Sequence, residues 1–307
     1  MIIPAFIDWQ PDIELFRVDL PVLGVLAVRW YSLMWIIGLV VGYLIVQRLF
    51  KKQGIPDEKF EPLFFYCFIS ILIGARLGHC IFYEPEYYLT SRIGFWEMLL
   101  PMHHTAEGWK FTGYEGLASH GGTIGLFLGL WIYSKRQKLG LWTVVDNIAI
   151  ATPFTCFCIR IGNLMNSEII GKVTDVPWAF IFHTNEAVVD GMLVPRHPAQ
   201  LYEAIAYLII FFVGLWIYSR KKELVGTSFY FGYCVFAIFF FRFFVEFVKK
   251  EQVAFEQGMT LDMGQLLSIP FILLAAWLVI RAYRRPLNPD TAEELQEPKV
   301  SGKKSKA

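Results

Sequence analysis

The sequence predicts an all-α polytopic membrane protein with about seven transmembrane helices, an external N-terminus, a cytoplasmic C-terminus and a small extracytoplasmic cap region. Of its 307 residues, 55% are hydrophobic and only 18% are charged, which is more apolar than a soluble domain of this length requires. Seven windows of about 18 residues are apolar enough to cross a hydrocarbon core roughly 30 Å thick. The distribution of basic residues around these windows then predicts the orientation.

The predicted spans are separated by short polar or basic segments. They lie near 31–47, 63–83, 117–134, 139–160, 200–219, 224–245 and 263–280. Clusters of Lys and Arg follow the first, third, fifth and seventh spans, and such clusters stay on the cytoplasmic side. The N-terminus is therefore expected outside, and the first span, which no removable signal peptide precedes, is expected to direct its own insertion.

We expect one integral membrane domain over 1–285, followed by a cytoplasmic tail over 286–307. The tail is rich in Pro, Glu and Lys, a composition typical of disordered segments. An external segment near 84–116 is dense in aromatic residues, which suit the headgroup level of a bilayer. A second external segment, 161–198, contains the alternating stretch Trp178 to Phe182, which predicts a short strand.

The five cysteines all lie within predicted spans. They are Cys67, Cys80, Cys156, Cys158 and Cys234. A thiol in such a place packs as a small hydrophobe, and an odd count argues against a disulfide framework or a metal site. We therefore expect neither a structural disulfide nor a metal.

Polar and ionisable side chains are concentrated towards one end of the spans. A charged group inside a span costs about 2.5 to 3.5 kcal/mol on insertion scales, so each needs a compensating role. With the predicted orientation, these side chains come from six of the seven spans and share the outer half of the membrane. They are Tyr31, Arg76, His79, His120, Arg160, Gln200, Glu203, Arg242 and Glu246. Their common depth predicts a pocket just below the outer surface.

Arg160 and Arg242 are the residues of this pocket that we expect to bind phosphate. A guanidinium group presents paired N–H donors that match two phosphate oxygens. Phosphate at that depth belongs to phospholipid, so membrane lipid is the expected partner. The alternative is that an arginine only reaches the interface or neutralises a carboxylate. For Lys249 and Lys250 we adopt that alternative.

The segment Arg160 to Gly171 is the most informative motif of the chain. It places an arginine, two asparagines and a glutamate between glycines, which let a backbone approach a ligand closely. A purely structural interpretation is a helix end with Asn capping and Gly termination. That interpretation explains neither the arginine nor the glutamate, and we prefer a binding role.

Further motifs cover nearly the whole membrane portion of the chain. They read Arg29-Trp-Tyr-Ser-Leu-Met34, Gly74-Ala-Arg-Leu-Gly78, Ser119-His-Gly-Gly-Thr-Ile-Gly125, Arg196-His-Pro-Ala-Gln-Leu-Tyr-Glu203, Arg242-Phe-Phe-Val-Glu246 and Met263-Gly-Gln-Leu-Leu-Ser-Ile-Pro270. In order and spacing, these motifs and the segment Arg160 to Gly171 make the chain resemble the prolipoprotein diacylglyceryl transferases of bacterial inner membranes.

The resemblance implies that a diacylglyceryl group moves from phosphatidylglycerol to the thiol of the lipobox cysteine in a prolipoprotein signal peptide. A thioether would form, and glycerol 1-phosphate would leave. The implied location is the bacterial inner membrane, with no cofactor, metal or nucleic acid involved. Departure of a phosphate needs cationic donors, a role that fits Arg160 and Arg242.

His120 is the preferred acceptor for the proton of the substrate thiol, because the thiol's pKa of about 8.5 rises in apolar surroundings. The neighbouring Gly121 and Gly122 would let acyl chains or the lipobox approach closely. The competing interpretation is a histidine that hydrogen-bonds lipid or a neighbouring helix without accepting a proton. The sequence leaves both interpretations open.

The resemblance also assigns supporting roles around the two arginines. Glu246 would orient Arg242, and the headgroup site would be shaped by Tyr31, Asn163, Asn166, Glu168 and Gly171, with Arg76, Gln200 and Glu203 as further members. The alternative function is a phospholipid or anion transporter that binds phosphate without bond cleavage. A transporter predicts a cationic path to the cytoplasmic side, whereas the inner halves of the spans carry little beyond Asp146 and Asn147.

Overall fold

A computed structural model describes residues 6–20, 24–105, 107–113, 116–250 and 259–284. The helices within them are α1 (Trp30–Lys52), α2 (Asp57–Phe82), α3 (Pro85–Thr90), α4 (Arg92–Leu99), α5 (Ser119–Gln137), α6 (Leu141–Met165), α7 (Ala199–Arg220), α8 (Phe229–Val245) and α9 (Met263–Arg284). The strands are β1 (Ile7–Trp9), β2 (Glu14–Leu20), β3 (Gly24–Arg29), β4 (Met102–Thr105), β5 (Gly108–Phe111), β6 (Phe180–Phe182), β7 (Val188–Val189) and β8 (Met192–Leu193). The strands pair in twos, with β1–β6 parallel and β2–β3, β4–β5 and β7–β8 antiparallel.

The predicted class of polytopic helical membrane protein is confirmed. Among the described residues, six helices are long and apolar enough to cross a membrane, namely α1, α2, α6, α7, α8 with its extension to Val248, and α9. The remaining predicted span, 117–134, forms α5 but is not among the six, because its glycines and polar ends dilute its apolar residues. The predicted strand near Trp178 is confirmed as β6. The orientation of the termini stays a prediction, and the tail 286–307 lies outside the described residues.

The described residues divide into two compact units, one within 1–49 and 145–307 and the other within 50–144. In the second unit, α2 packs on α5 through glycines. A Cβ atom on Gly74 would lie 2.4 Å from the carbonyl oxygen of Gly121 and 2.8 Å from the Cα of Gly125. Any side chain at Gly74 would push the helices apart, so this close pairing of backbones requires glycine.

In the first unit, a buried carboxylate decides where α8 begins. Asp146 of α6 accepts hydrogen bonds from the backbone N–H groups of Gly226, Ser228 and Phe231, at 2.9, 3.1 and 2.9 Å. The first N–H groups of a helix have no partner within the helix, and Asp146 supplies one. The predicted span 224–245 therefore becomes a helix only from Phe229 onwards.

Candidate functional site

The end of α6 shapes the segment Arg160 to Gly171. The backbone N–H of Glu168 donates to the carbonyl oxygen of Asn163 at 2.9 Å, and that of Ser167 donates to Leu164 at 3.0 Å. This crossed pair is a Schellman motif, whose turning residue lies in the left-handed region. Here the turning residue is Ser167, with φ of 54°, and Ile169 follows with φ of 58°. The motif folds Glu168 back towards the last turn of α6.

The folded-back carboxylate of Glu168 binds both asparagines of the segment. Asn163 Nδ2 donates to one oxygen and Asn166 Nδ2 to the other, each at 3.1 Å. The Oδ1 atom of Asn163 accepts from Arg160 Nη1 at 3.2 Å. Glu168 thereby fixes which amide atom faces the arginine. Three of the residues predicted for the headgroup site thus form one hydrogen-bonded cluster with Arg160.

Arg160 also belongs to a second set of contacts, which we call the ion-pair chain. Its members in order are Arg160, Glu203, Lys249, Glu246 and Arg242. Arg160 Nε lies 3.1 Å from Glu203 Oε2, and Arg242 Nε lies 3.3 Å from Glu246 Oε1. Lys249 Nζ lies 2.9 Å from Glu246 Oε1 and 3.8 Å from Glu203 Oε1. The ion-pair chain connects α6, α7, α8 and the short helical turn that follows α8.

Burial strengthens the contacts of Glu203 and Lys249 in the ion-pair chain. The side chain of Glu203 is fully buried and that of Lys249 is 3% exposed. Charges out of water attract one another more strongly, and each is costly without its partner. The arginines differ, since the side chain of Arg242 is 38% exposed whereas that of Arg160 is 14% exposed. Arg242 is therefore the more accessible of the two arginines.

The surrounding backbone holds the carboxylates in place. The carboxylate of Glu246 lies against Gly264 in the first turn of α9, where a Cβ atom would be only 2.6 Å from the carboxyl carbon. The N-terminus of a helix favours negative charge, which suits this position. Tyr207, one turn after Glu203 on α7, donates its hydroxyl to Glu203 Oε1 at 3.2 Å. The resemblance-based assignment of Glu246 as the partner of Arg242 agrees with this geometry.

Gly171, Gln200 and Tyr31 support the same region in different ways. A Cβ atom on Gly171 would lie 2.5 Å from the carbonyl oxygen of His197, so close backbone packing accounts for this glycine. Gln200 is fully buried and donates its amide to the backbone oxygen of Glu168. Tyr31 of α1 packs against Gly162, two residues after Arg160. Any contact of these three residues with substrate remains a prediction.

The other predicted site residues belong to the second compact unit. Arg76 donates to the backbone oxygen of Glu97 at 2.7 Å, and its guanidinium lies 4.8 Å from the centre of the Tyr88 ring. Gly121 packs against α2, which gives it a structural reason to be glycine. A Cβ atom on Gly122 would lie 3.4 Å from the Cβ atom of Ala75. Arg76 is therefore engaged in holding α3 and α4 beside α2.

His120 lies exposed in the first turn of α5. Within the part of the chain that the structure describes, no hydrogen bond or ion pair involves its imidazole. The position is compatible with a proton acceptor that meets a substrate, and equally with a histidine facing lipid. Beside it, α2 and α5 line an open apolar groove with a volume of about 630 Å³, and Gly121 and Gly125 form part of its wall.

A buried carboxylate that the sequence did not indicate organises the segment between α2 and α5. Glu97 is 2% exposed and accepts from the Tyr87 hydroxyl, from His103 Nδ1 and from the backbone N–H of His104, at 2.8, 3.0 and 2.7 Å. Burial alone would raise the pKa of Glu97, but these hydrogen bonds favour its charged form and lower the pKa below the ordinary value. Glu97 therefore ties α3, α4 and the β4–β5 hairpin together.

Sequence reasoning missed two members of the first unit's site, Lys249 and Tyr207. Lys249 was expected at the interface or beside a carboxylate, and it is buried between two of them. Its spacing of three residues from Glu246 was the available signal, since such residues share a helical face. Lys250, for which the same was expected, donates an exposed hydrogen bond to the backbone oxygen of Glu186 at 2.9 Å.

Comparisons with known proteins point to one family. A family model described as prolipoprotein diacylglyceryl transferase matches residues 18–281. A relative from Bacteroides fragilis, named phosphatidylglycerol–prolipoprotein diacylglyceryl transferase, is 54% identical over 274 residues, which cover 89% of this chain and 94% of the relative. A relative of the same name from Porphyromonas gingivalis is 38% identical and covers 94% and 98%. Another from Tolumonas auensis is 38% identical and covers 89% and 96%.

Proposed function

The chain belongs to the prolipoprotein diacylglyceryl transferase family, and from this membership we propose that it transfers the diacylglyceryl group of phosphatidylglycerol to prolipoproteins. The acceptor is the thiol of the lipobox cysteine in the signal peptide. The products are a thioether-linked diacylglyceryl protein and glycerol 1-phosphate. The names of the relatives given above specify both phosphatidylglycerol as the donor lipid and a prolipoprotein as the acceptor.

One observation carries this proposal. In the ion-pair chain, two arginines are each paired with a buried carboxylate. The substrate sulfur attacks the glyceryl carbon, the bond between that carbon and the phosphate oxygen breaks, and the electron pair stays on the phosphate. Stabilising that departing charge is electrostatic work. Arg160 and Arg242 supply the donors, and Glu203 and Glu246 hold their Nε atoms so that other N–H groups remain for phosphate.

The headgroup is proposed to bind beside the Schellman motif at the end of α6. Asn163, Asn166 and Glu168 offer donors and acceptors that match glycerol hydroxyls, and they are already held by one another. Preformed polar groups lose little freedom when a ligand binds. The further proposed contacts with donor lipid or acceptor peptide are Tyr31, Gly171, Gln200, Glu203, Glu246, Arg76, Gly121 and Gly122.

His120 is proposed to accept the proton of the substrate cysteine. A thiolate is the nucleophile in such a step, so the proton must leave before or during attack. The proton then reaches the released phosphate or solvent, which balances the reaction without a further reactant. The five cysteines of the chain itself are free thiols, and none is assigned a role in transfer.

The protein is a multi-pass membrane protein, and we place it in the bacterial inner membrane with phosphatidylglycerol and the signal peptide as partners. The alternative, a phospholipid or anion transporter, shares the phosphate-binding arginines but forms no thioether. The names of the relatives favour transfer over transport. No separate observation supports the transporter.

Reconstitution tests the proposal directly. Purified protein in micelles receives phosphatidylglycerol with a labelled headgroup and a lipobox peptide, with a peptide carrying Ser in place of the lipobox cysteine as control. Release of labelled glycerol 1-phosphate is expected only with the cysteine peptide, in step with thioether formed. Arg242→Ala should abolish both products while the protein remains folded. Thioether formation at the normal rate by Arg242→Ala would remove the phosphate-binding role from that arginine.

A further inference from the structure

Lys249 is the central member of the ion-pair chain. We propose that it is a positioning residue for phosphate binding, which shares Glu203 and Glu246 with the two arginines and so keeps their guanidinium groups available to the phosphate. The inference rests on the function proposed above and adds a third cation to it. Lys249 itself does not touch the substrate.

The backbone fixes Lys249 beside the end of the segment Arg160 to Gly171. Gly171 and Lys249 form an antiparallel bridge, flanked by hydrogen bonds from Lys172 N to Val248 O at 2.8 Å and from Lys250 N to Ile170 O at 3.2 Å. The side chain is 3% exposed and its ammonium group reaches both carboxylates. A buried lysine needs paired charges, and here both of its carboxylate partners also hold an arginine.

Charge arithmetic explains what the lysine adds. The ion-pair chain contains three cations, Arg160, Arg242 and Lys249, against two carboxylates, Glu203 and Glu246. It therefore carries a surplus of one positive charge, which equals the single negative charge of a phosphodiester. Without Lys249, each carboxylate would neutralise its own arginine, and no surplus would remain for the lipid. Lys249 thus sets the net charge of the ion-pair chain, to which Glu168, held by Asn163 and Asn166, does not belong.

Lys250 provides a matched control. It is adjacent in sequence and carries the same charge, but its ammonium donates to the backbone oxygen of Glu186 and is exposed. Removing its charge leaves the ion-pair chain intact. A general effect of positive charge near the membrane surface would appear in both lysines, whereas the proposed role belongs to Lys249 alone.

The test compares Lys249→Met, Lys249→Gln, Lys249→Arg and Lys250→Met in the full-length protein. The initial rate is measured against phosphatidylglycerol at saturating lipobox peptide, and thermal unfolding is recorded for each variant. Lys249→Met and Lys249→Gln should lower kcat/KM at least about 30-fold, mainly through a higher KM. Lys249→Arg should stay within about fivefold of the wild type, since it keeps the charge. Lys250→Met should behave as the wild type.

The variants separate positioning from a merely structural role. Lys249→Gln keeps a donor for Glu246 but loses the charge, so it remains informative if Lys249→Met fails to fold. An unchanged KM in folded Lys249→Gln, or Lys249→Arg no better than Lys249→Gln, would overturn the inference. An equal rise in KM for Lys250→Met would do the same. A wild-type protein that releases no glycerol 1-phosphate would instead overturn the proposed function.

Discussion

Replacement of Arg160 by Ala separates the contribution of this arginine to catalysis from its contribution to folding. Arg160 pairs with Glu203, which is fully buried, and donates to Asn163 at the end of the same helix. The substitution removes a donor for the departing phosphate and leaves a buried carboxylate without its main partner. These two consequences can be measured independently.

The structure sets the size of each effect. Losing one donor that stabilises developing negative charge costs about 2.7 to 4 kcal/mol, or about 100- to 1,000-fold in rate. Breaking a buried ion pair from one side costs about 3 to 5 kcal/mol in stability. Glu203 keeps Lys249 at 3.8 Å and the hydroxyl of Tyr207 at 3.2 Å, so the loss should fall near the lower end of that range.

The double variant Arg160→Ala/Glu203→Gln distinguishes the two effects. It removes the unpaired charge, so thermal stability should recover by most of the loss seen in Arg160→Ala. Thioether formation, followed by mass spectrometry of the lipobox peptide, should stay as low as in Arg160→Ala because the donor is still missing. Recovery of transfer together with stability would refute the reasoning, as would a wild-type rate in Arg160→Ala.

Three further changes test other parts of the structure. His120→Asn should bind phosphatidylglycerol but form no thioether at any pH, and turnover with an unchanged pH profile would exclude a proton acceptor at this position. Ser167→Gly should raise the free energy of unfolding by about 0.5 to 1 kcal/mol, because φ of 54° strains a residue with a Cβ atom; equal or lower stability in detergent melts would contradict this. Because the pKa of Glu97 is lowered in the folded protein, the stabilisation from its charged form is present above the ordinary pKa of Glu and is lost as the pH falls below that value and through the folded pKa. Hydrogen exchange of the His104 backbone amide, corrected for the intrinsic rate, should accelerate in the wild type as the pH falls through this range. Glu97→Gln should remove this pH-dependent acceleration.

The sequence was sufficient to predict the membrane class and most of the helix bounds. Long apolar windows depend only on local composition, so α7 lies within one residue of both predicted limits. For α1, α2, α6 and α9, one limit lies within two residues of the prediction and the helix extends four to six residues beyond the other. The start of α8 was predicted too early, since it depends on Asp146, which is 80 residues away from Gly226 in the chain. Long-range capping of this kind leaves no local pattern.

The candidate site shows the same limit. The motif from Arg160 to Gly171 and the pair Arg242 and Glu246 could be found by spacing and by the cost of charge in a membrane. The spacing indicates that Lys249 can reach Glu246, but not that it also lies beside Glu203, because that contact depends on a backbone bridge to Gly171, which is far away in the chain. From the sequence, Gly121 was interpreted as leaving space for substrate. In the structure, the missing side chain also allows α5 to pack closely on α2.

The fate of the oxygen that joins the diacylglyceryl carbon to phosphorus tests the central claim most directly. Phosphatidylglycerol carrying a heavy oxygen isotope at that position is incubated with the protein and a lipobox peptide. The account predicts that all released glycerol 1-phosphate carries the label and that the peptide gains an unlabelled diacylglyceryl group on sulfur. Label retained in free diacylglycerol, with no thioether on the peptide, would contradict it.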